Sequence, residues 1–366
     1  VIALGKALEQ AGVSLINTGI GWHEARIPTI ATSVPRAAFT WVTEELKGKV
    51  GIPLVTSNRI NTPEVAEQVL ASGQADMVSM ARPFLADPEF VNKAAAGKAD
   101  RINTCIACNQ ACLDHTFQLQ LTSCLVNPRA CHETVLTIEA ATTPRRIAVV
   151  GSGPGGLAAA VTAAERGHEV TLFEADDQIG GQFNYAAQIP GKEEFHETLR
   201  YFRNALVDAG VTVRLGFRAG VEDLTDFDEV VLATGVAPRI PDVPGIDHPK
   251  VLTYLQVLRD HVEVGKTVAI MGAGGIGFDV AGYLTQAGPS ATLEPGLFYA
   301  QWGIDRTHTH RGGLVPAQQE APARQVTLLQ RKATKVGKGL GKTTGWIHRT
   351  ELKKRGVQMV PGVTYL

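Results

Sequence analysis

The stretch Arg146-Ile-Ala-Val-Val150-Gly151-Ser152-Gly153-Pro154-Gly155-Gly156 decides how this chain folds. A strand-like run, Arg146 to Val150, feeds a glycine-rich turn, and an apolar helix-like run follows to Gly167. A second strand-like run, Glu169 to Phe173, ends on Glu174. A lone G-x-G-x-x-G is a weak signal. Strand, turn, helix, strand and acid in that order are the βαβ dinucleotide fingerprint. In that reading Gly151 makes the tight turn, Gly153 lets the backbone approach a pyrophosphate, and Gly155 lies in the same turn. Gly156 packs helix on strand, and Glu174 accepts from a ribose hydroxyl. Gly181 and Gln182, just beyond, are assigned to the same site.

The pattern recurs downstream. Thr267 to Met271 reads as a strand, Gly272-Ala-Gly274-Gly275-Ile-Gly277 as its phosphate turn, and a helix runs to about Gln286. The next strand, Gln325 to Gln330, arrives late. The polar, Gly- and Pro-bearing stretch from Gly288 to Arg324 is therefore expected to leave the domain as an excursion of unassigned role. Arg331 and Lys332 stand where a binder of the non-phosphorylated coenzyme carries an acid, and cations there suit the 2′-phosphate of NADPH. The alternative is a solvated basic pair. Gly339-Leu-Gly341-Lys342-Thr343 imitates the end of a P-loop, but Val336 occupies the place of the first required glycine, which removes a nucleotide triphosphatase.

Upstream, residues 1 to 98 alternate strand-like and helix-like runs. An initial helix ends near Gly12, strands are expected over Ser14 to Ile20, Ile52 to Ser57 and Met77 to Ala81, and helices over Pro35 to Lys47, Pro63 to Ser72 and after Pro88. This is a parallel βα pattern. Of the two architectures that produce it, the turn chemistry favours the (β/α)8 barrel over a doubly wound sheet. A barrel binds phosphate beyond its last two strands, and Asn58-Arg59 and Ala81-Arg82 follow two of these runs at once. They would suit the phosphate end of flavin mononucleotide, the bland alternative being two surface arginines. Trp22-His23-Glu24 falls in a loop at the expected catalytic mouth, where His23 is a candidate donor.

Four of the five cysteines lie between Cys105 and Cys124, at spacing C-x2-C-x3-C-x11-C. The thiolates of Cys105, Cys108, Cys112 and Cys124 suit a [4Fe-4S] cluster. Zinc is the chief rival and usually shows two C-x2-C knuckles, whereas here the second is missing. Disulfides are the third choice. Cys131 is left over, as a buried or spare thiol.

Composition adds limits. The chain of 366 residues is 44% hydrophobic and 19% charged, with net charge −1, so nothing general points to nucleic acid or an anionic membrane. No apolar run approaches the ~18 residues of a membrane span and no signal-peptide pattern opens the chain, which leaves a reducing cytoplasm as the expected compartment. The chain reads as a piece lacking both ends. It divides into a barrel part at 1–102, a cysteine segment with linker at 103–143, a first dinucleotide domain at 144–240 and a second at 241–366.

Particular stretches carry a resemblance. They are Asn17 to Pro28 with its Trp22-His23-Glu24, Met80-Ala-Arg82-Pro-Phe, the cysteine segment through Asn127-Pro-Arg-Ala-Cys131, and Gly341-Lys-Thr-Thr-Gly-Trp-Ile-His348. By these the chain resembles, along nearly its whole length, the iron-sulfur flavoproteins that include trimethylamine dehydrogenase, the flavin enoate reductases and the bacterial NADPH-dependent 2,4-dienoyl-CoA reductases. The resemblance implies the four named cysteines as cluster ligands, Arg59 and Arg82 at an FMN site, and His23 beside substrate. It also implies FAD on the first glycine turn. The implied activity is reduction of an unsaturated acyl-CoA, with electrons passing from NADPH through FAD, cluster and FMN. A related amine dehydrogenase, or an electron-transfer subunit with cluster and FAD only, are the alternatives.

Overall fold

The computed structural model describes residues 1–21 and 25–365. The chain forms three parallel sheets, one in each of three units. In the first unit α1 (Ile2–Gln10), β1 (Ile16–Asn17), α2 (Thr40–Glu44), β2 (Leu54–Thr56), α3 (Pro63–Ala71) and β3 (Met77–Val78) alternate. Its strands pair in the order β1-β2-β3. They are shorter than expected, yet the bonding runs past their ends, Thr18 N donating to Val55 O at 2.8 Å and Ser79 N to Thr56 O at 2.8 Å. α3 starts at Thr62, whose hydroxyl accepts from Val65 N, with Pro63 at the first helical position. The helix expected over Pro35 to Lys47 shrinks to α2. Ala37 takes a left-handed φ of 53°, which a right-handed helix does not allow, and its N–H turns to Arg59 O at 3.0 Å. α4 (Arg82–Ala86) and α5 (Phe90–Ala95) follow.

The cysteine segment is mostly turns, with a single π-helical turn at Gln110–Asp114. In the second unit come β4 (Arg146–Val150), α6 (Pro154–Glu165), β5 (Glu169–Phe173), α7 (Phe183–Ala186), α8 (Phe195–Asp208), β6 (Thr212–Arg214) and β7 (Glu229–Leu232). The sheet order β6-β5-β4-β7 makes β4 the strand at which the order reverses, so the turn after it sits at the switch point where such sheets bind ligands. Val149, Leu157, Leu172 and Phe202 are among the residues of its core.

The third unit repeats the scheme with α9 (Tyr254–Leu258), β8 (Thr267–Met271), α10 (Gly275–Thr285), α11 (Pro295–Trp302), β9 (Gln325–Gln330), α12 (Gly345–Lys354) and β10 (Gln358–Pro361), paired β10-β9-β8. β10 stops at Pro361, and Gly362 turns away at φ 74°.

The excursion at 288–324 is not solvated loop. It carries α11, whose Phe298 and Trp302 share a core with Val34 and Phe39 of the first unit. The rings of Phe39 and Phe298 meet edge-on at 6.3 Å, and Tyr299 Oη donates to Ala38 O at 2.5 Å. The Arg306 guanidinium lies 5.0 Å from the Trp41 ring. Apolar burial thus straps the third unit to the first. The second unit docks differently. Glu194, just before α8 and 4% exposed, takes the guanidinium of Arg59 at 2.6 Å and that of Arg36 at 2.6 Å. Among the described residues no helix is long and apolar enough to cross a membrane.

Candidate functional site

The cysteine segment folds back on itself through two left-handed residues, Ala107 at φ 52° and Asn109 at φ 63°. They flank Cys108 and let the chain double back, while Ser123 N, donating to Ala111 O at 2.7 Å, returns Cys124 to the same place. Cys105, Cys108, Cys112 and Cys124 consequently line one small cavity, together with Arg82 and Leu85 of α4. Burial pushes the Cys108 thiol up to about 12 and the Cys124 thiol up to about 11, the neighbouring cysteines adding to both shifts. Thiols held this way stay neutral until cations claim them. Among the described residues no group of three Cys, His, Asp or Glu side chains is placed to hold a single metal ion. Cys131 is exposed and lies outside the cavity lining.

Arg82 bridges this cavity and the barrel mouth. Its guanidinium donates to Asn109 Oδ1 at 2.5 Å and to Ile30 O at 2.8 Å. Asn109 lines both the cysteine cavity and a cleft of about 680 Å3, including its open mouth, that begins at the end of β1. Asn58 lines that cleft and donates to Ile20 O at 2.6 Å. Ala81 precedes Arg82 as the residue capping α4. Arg59 departs from expectation. Its φ of 56°, after Asn58 at 75°, turns the side chain inward, where it is 4% exposed and bonded to Glu194 Oε1 and to Val34 O at 2.8 Å. The expected phosphate ligand is an ion-pair partner of the second unit. His23 lies outside the described residues.

At the first glycine turn, Gly151 has φ 102°, and a Cβ there would stand 2.3 Å from Ala233 O. A Cβ at Gly156 would stand 1.9 Å from Gly151 O, which is the close helix-to-strand packing the motif requires. Gly153 and Gly155 face open space, and a Cβ at Gly181, which has φ 52°, would stand 3.3 Å from Gly153 Cα. The Glu174 carboxylate accepts from Ser152 N at 2.8 Å, Ser152 Oγ at 2.5 Å and Asp176 N at 3.0 Å. Burial opposes its ionisation, but these donors hold it below the usual carboxylate range. Gln182 joins Val236 O and the Tyr254 hydroxyl, at 2.9 and 2.7 Å. At the second turn Gly272 has φ 112°, Gly274 caps α10, and a Cβ at Gly277 would stand 2.0 Å from Gly272 O. Arg331 and Lys332 are exposed at the end of β9.

The imitation P-loop has a different place. Thr343 N and Oγ1 both donate to Asp114 Oδ1 at 2.7 Å, and Lys342 Nζ donates to Phe117 O at 2.7 Å, so the loop before α12 is pinned to the cysteine segment. Asn109 and Asp114 had no motif to betray them, and Thr343 only the imitation P-loop. Their nearest signal is that they fall inside two of the four stretches that carry the resemblance.

A barrel-type unit followed by two Rossmann-type units with intact glycine turns defines a flavin- and nicotinamide-nucleotide-dependent oxidoreductase class. The chain belongs to the pyridine nucleotide-disulphide oxidoreductase family, whose profile matches residues 145–365. Residues 4–101 match the NADH:flavin oxidoreductase / NADH oxidase family. The chain is 36% identical over 367 residues to a metal reductase of Desulforamulus reducens, covering 99% of this chain and 54% of that protein. It is 32% identical to a cinnamate reductase of Clostridium sporogenes, covering 80% and 44%. Among solved structures a 2-naphthoyl-CoA reductase in complex with 2-naphthoyl-CoA superposes with a TM-score of 0.85 at 27% identity, covering 99% of this chain and 50% of that one. The chain spans about half the length of the curated relatives it matches.

Proposed function

We propose that the intact enzyme reduces 2,4-dienoyl-CoA thioesters with NADPH, using FMN at the barrel mouth, FAD on the Gly151 turn, and a [4Fe-4S] cluster on Cys105, Cys108, Cys112 and Cys124. The observation that carries the reading is the cavity shared by four thiols and Arg82, one hydrogen bond away from the barrel-mouth cleft. The donor set fits, since four soft sulfur ligands around one space are what an iron-sulfur cluster takes. When bound, these cofactors would supply the hydride and single-electron chemistry.

The chain's own residues then have definite tasks. Gly153 and Gly274 leave room for pyrophosphates, Glu174 orders the Ser152 turn, and Arg331 with Lys332 offers charge to the 2′-phosphate that separates NADPH from NADH. Arg82 places positive charge beside the cluster cavity, and His23 is proposed to orient the thioester. The relatives named for cinnamate and 2-naphthoyl-CoA, both conjugated acyl compounds, support a conjugated substrate. The basic pair on the third unit favours this over an amine dehydrogenase, which has no need of NADPH.

The test is the absorbance spectrum and cofactor content of the holoenzyme and of two serine variants. Cys108→Ser should lose most of its iron and sulfide, and Cys131→Ser should lose none. Equal loss from both would sink the ligand assignment. A holoenzyme that holds both flavins yet oxidises NADPH no faster when dienoyl-CoA is added would sink the substrate.

A further inference from the structure

The cysteine segment is gripped by both nucleotide units. The third unit holds it through Thr343 on Asp114 and Lys342 on Phe117 O. From the second, Arg200 of α8 donates to Ile102 O and Thr104 Oγ1, each at 2.9 Å, on the run that leads into Cys105. The closest grip passes through Asn61 of the first unit, which is 2% exposed. Its Nδ2 donates to the carbonyl of Cys105 at 2.9 Å and to Glu194 Oε2 at 3.1 Å, so one amide joins the buried carboxylate of the second unit to the backbone of a thiol-bearing residue. That amide is held in one orientation. Asn61 Oδ1 is buried and has no hydrogen-bond partner among the described residues, which is unfavourable in itself. Turning the amide over would set Oδ1 against a carboxylate and a carbonyl, so the donor stays toward both. Glu194 is fixed in turn between Arg36 and Arg59, and Phe195 beside it stacks at 4.5 Å on Phe183, the residue after Gln182 of the first glycine turn.

We infer that Asn61 and Glu194 are positioning residues for the cysteine cage, through which the seating of the second unit sets the cage's reduction potential and its hold on iron. This rests on the iron-sulfur reading above and adds to it a dependence on a residue of the FAD unit that is no ligand. Reduction potentials at such sites respond to hydrogen bonds and to nearby charge, and residues that support a ligand tune its hold on metal. The two side chains act with opposite sign. The amide turns the positive end of its dipole toward Cys105, which favours the more negative, reduced state, whereas the carboxylate behind it disfavours that state.

The experiment compares the holoenzyme with Asn61→Leu, Glu194→Gln and a control, Asp208→Asn. The control breaks another ion pair between the same two units, Arg101 to Asp208 at 2.7 Å, at the far end of α8. Reduction potential is read by redox titration under electron paramagnetic resonance, and iron release by a chelator's absorbance. Asn61→Leu should lower the potential and Glu194→Gln should raise it, each by about a tenfold change in the reduction equilibrium, which is about 59 mV for one electron. Both should speed iron release by about tenfold, the lower end for losing a residue that supports a ligand. Asp208→Asn should leave both readouts near wild type. Potentials that move in one direction in both variants, or that move as far in Asp208→Asn, would mean a general loosening of the interface and overturn the inference. Unchanged potentials in variants that keep their iron overturn it as well. Should Glu194→Gln not fold, the fall in potential of Asn61→Leu against Asp208→Asn decides. A wild-type holoenzyme without iron and sulfide would defeat the cluster reading itself.

Discussion

The two dinucleotide units share a turn and differ in nearly everything around it. A Cβ at Gly156 or at Gly277 would meet the carbonyl of the motif's own first glycine at 1.9 or 2.0 Å, so the backbone geometry is the same. Yet the second unit ends its second strand on Glu174, folded back onto Ser152, whereas the third ends on exposed Arg331 and Lys332. Docking differs too, by a buried carboxylate between two arginines in one case and by an aromatic strap in the other. The turn provides a place for pyrophosphate. The neighbouring side chains decide which nucleotide fits and how firmly the unit is held.

The hardest way to break the comparison is at the glycines. Gly156→Ala and Gly277→Ala each force a methyl against backbone, at a cost above the roughly 1–3 kcal/mol of ordinary overpacking. Gly156→Ala should abolish FAD retention while NADPH still binds, and Gly277→Ala the reverse, as read by released flavin and by NADPH fluorescence titration. If either variant loses both ligands, the two turns are not independent.

Acid sharpens the difference in docking. Burial alone would raise Glu194, but Arg59 and Arg36 bring it down to about 2. A carboxylate depressed on folding adds stability that is complete above its unfolded value near 4.5 and is lost as pH falls toward 2. The shift corresponds to roughly 3 kcal/mol. Unfolding by urea should therefore show a gap of that order between wild type and Glu194→Gln above pH 4.5, closing as pH falls toward 2. A gap that persists unchanged at the acid end would show that the arginines are not the cause. Phe298→Ala, on the apolar strap, should give a gap that stays flat over the same pH window.

The smallest effect concerns coenzyme choice. Neutralising Arg331 or Lys332 should each cost roughly 1.5–3 kcal/mol of NADPH affinity, about tenfold or more in KM, with NADH little changed. Steady-state kinetics with both coenzymes decides, and equal losses would mean a damaged fold.

These contrasts were unequally legible in the sequence. β4, β5, β8 and β9 begin and end where the pattern predicts, because apolar strands cut by glycine turns announce their own limits. The barrel-type elements do not: the strands are shorter than the pattern predicts, and the helix expected from Pro35 is cut by Ala37, whose left-handed φ no local propensity demands. Arg59 followed the barrel rule to a phosphate site and in fact meets Glu194, 135 residues away. An ion pair across that distance leaves no periodic trace. That the four cysteines share one cavity agrees with their close spacing, but the Asp114–Thr343 anchor beside them spans 229 residues and left no such sign. The excursion was visible as a delay before β9, and its role lay in Phe298, Tyr299 and Trp302, aromatics that make sense only once Phe39 is opposite them.

That strap also bears on how the chain assembles in time. Tyr299 reaches Ala38 across 261 residues, and Thr292 reaches Ser33 across 259, while β8 and β9 cannot pair until the intervening stretch is closed as a loop. Contacts so distant in sequence are slow to form, because loop closure has to precede any gain from burial. The second unit, whose core is built from its own residues, is free to form before that closure. The third unit's sheet and the seal against Phe39 come last, and until then the aromatic face of α11 stands open to water. That interval, rather than any weakness of the finished structure, is when the chain is most exposed to aggregation.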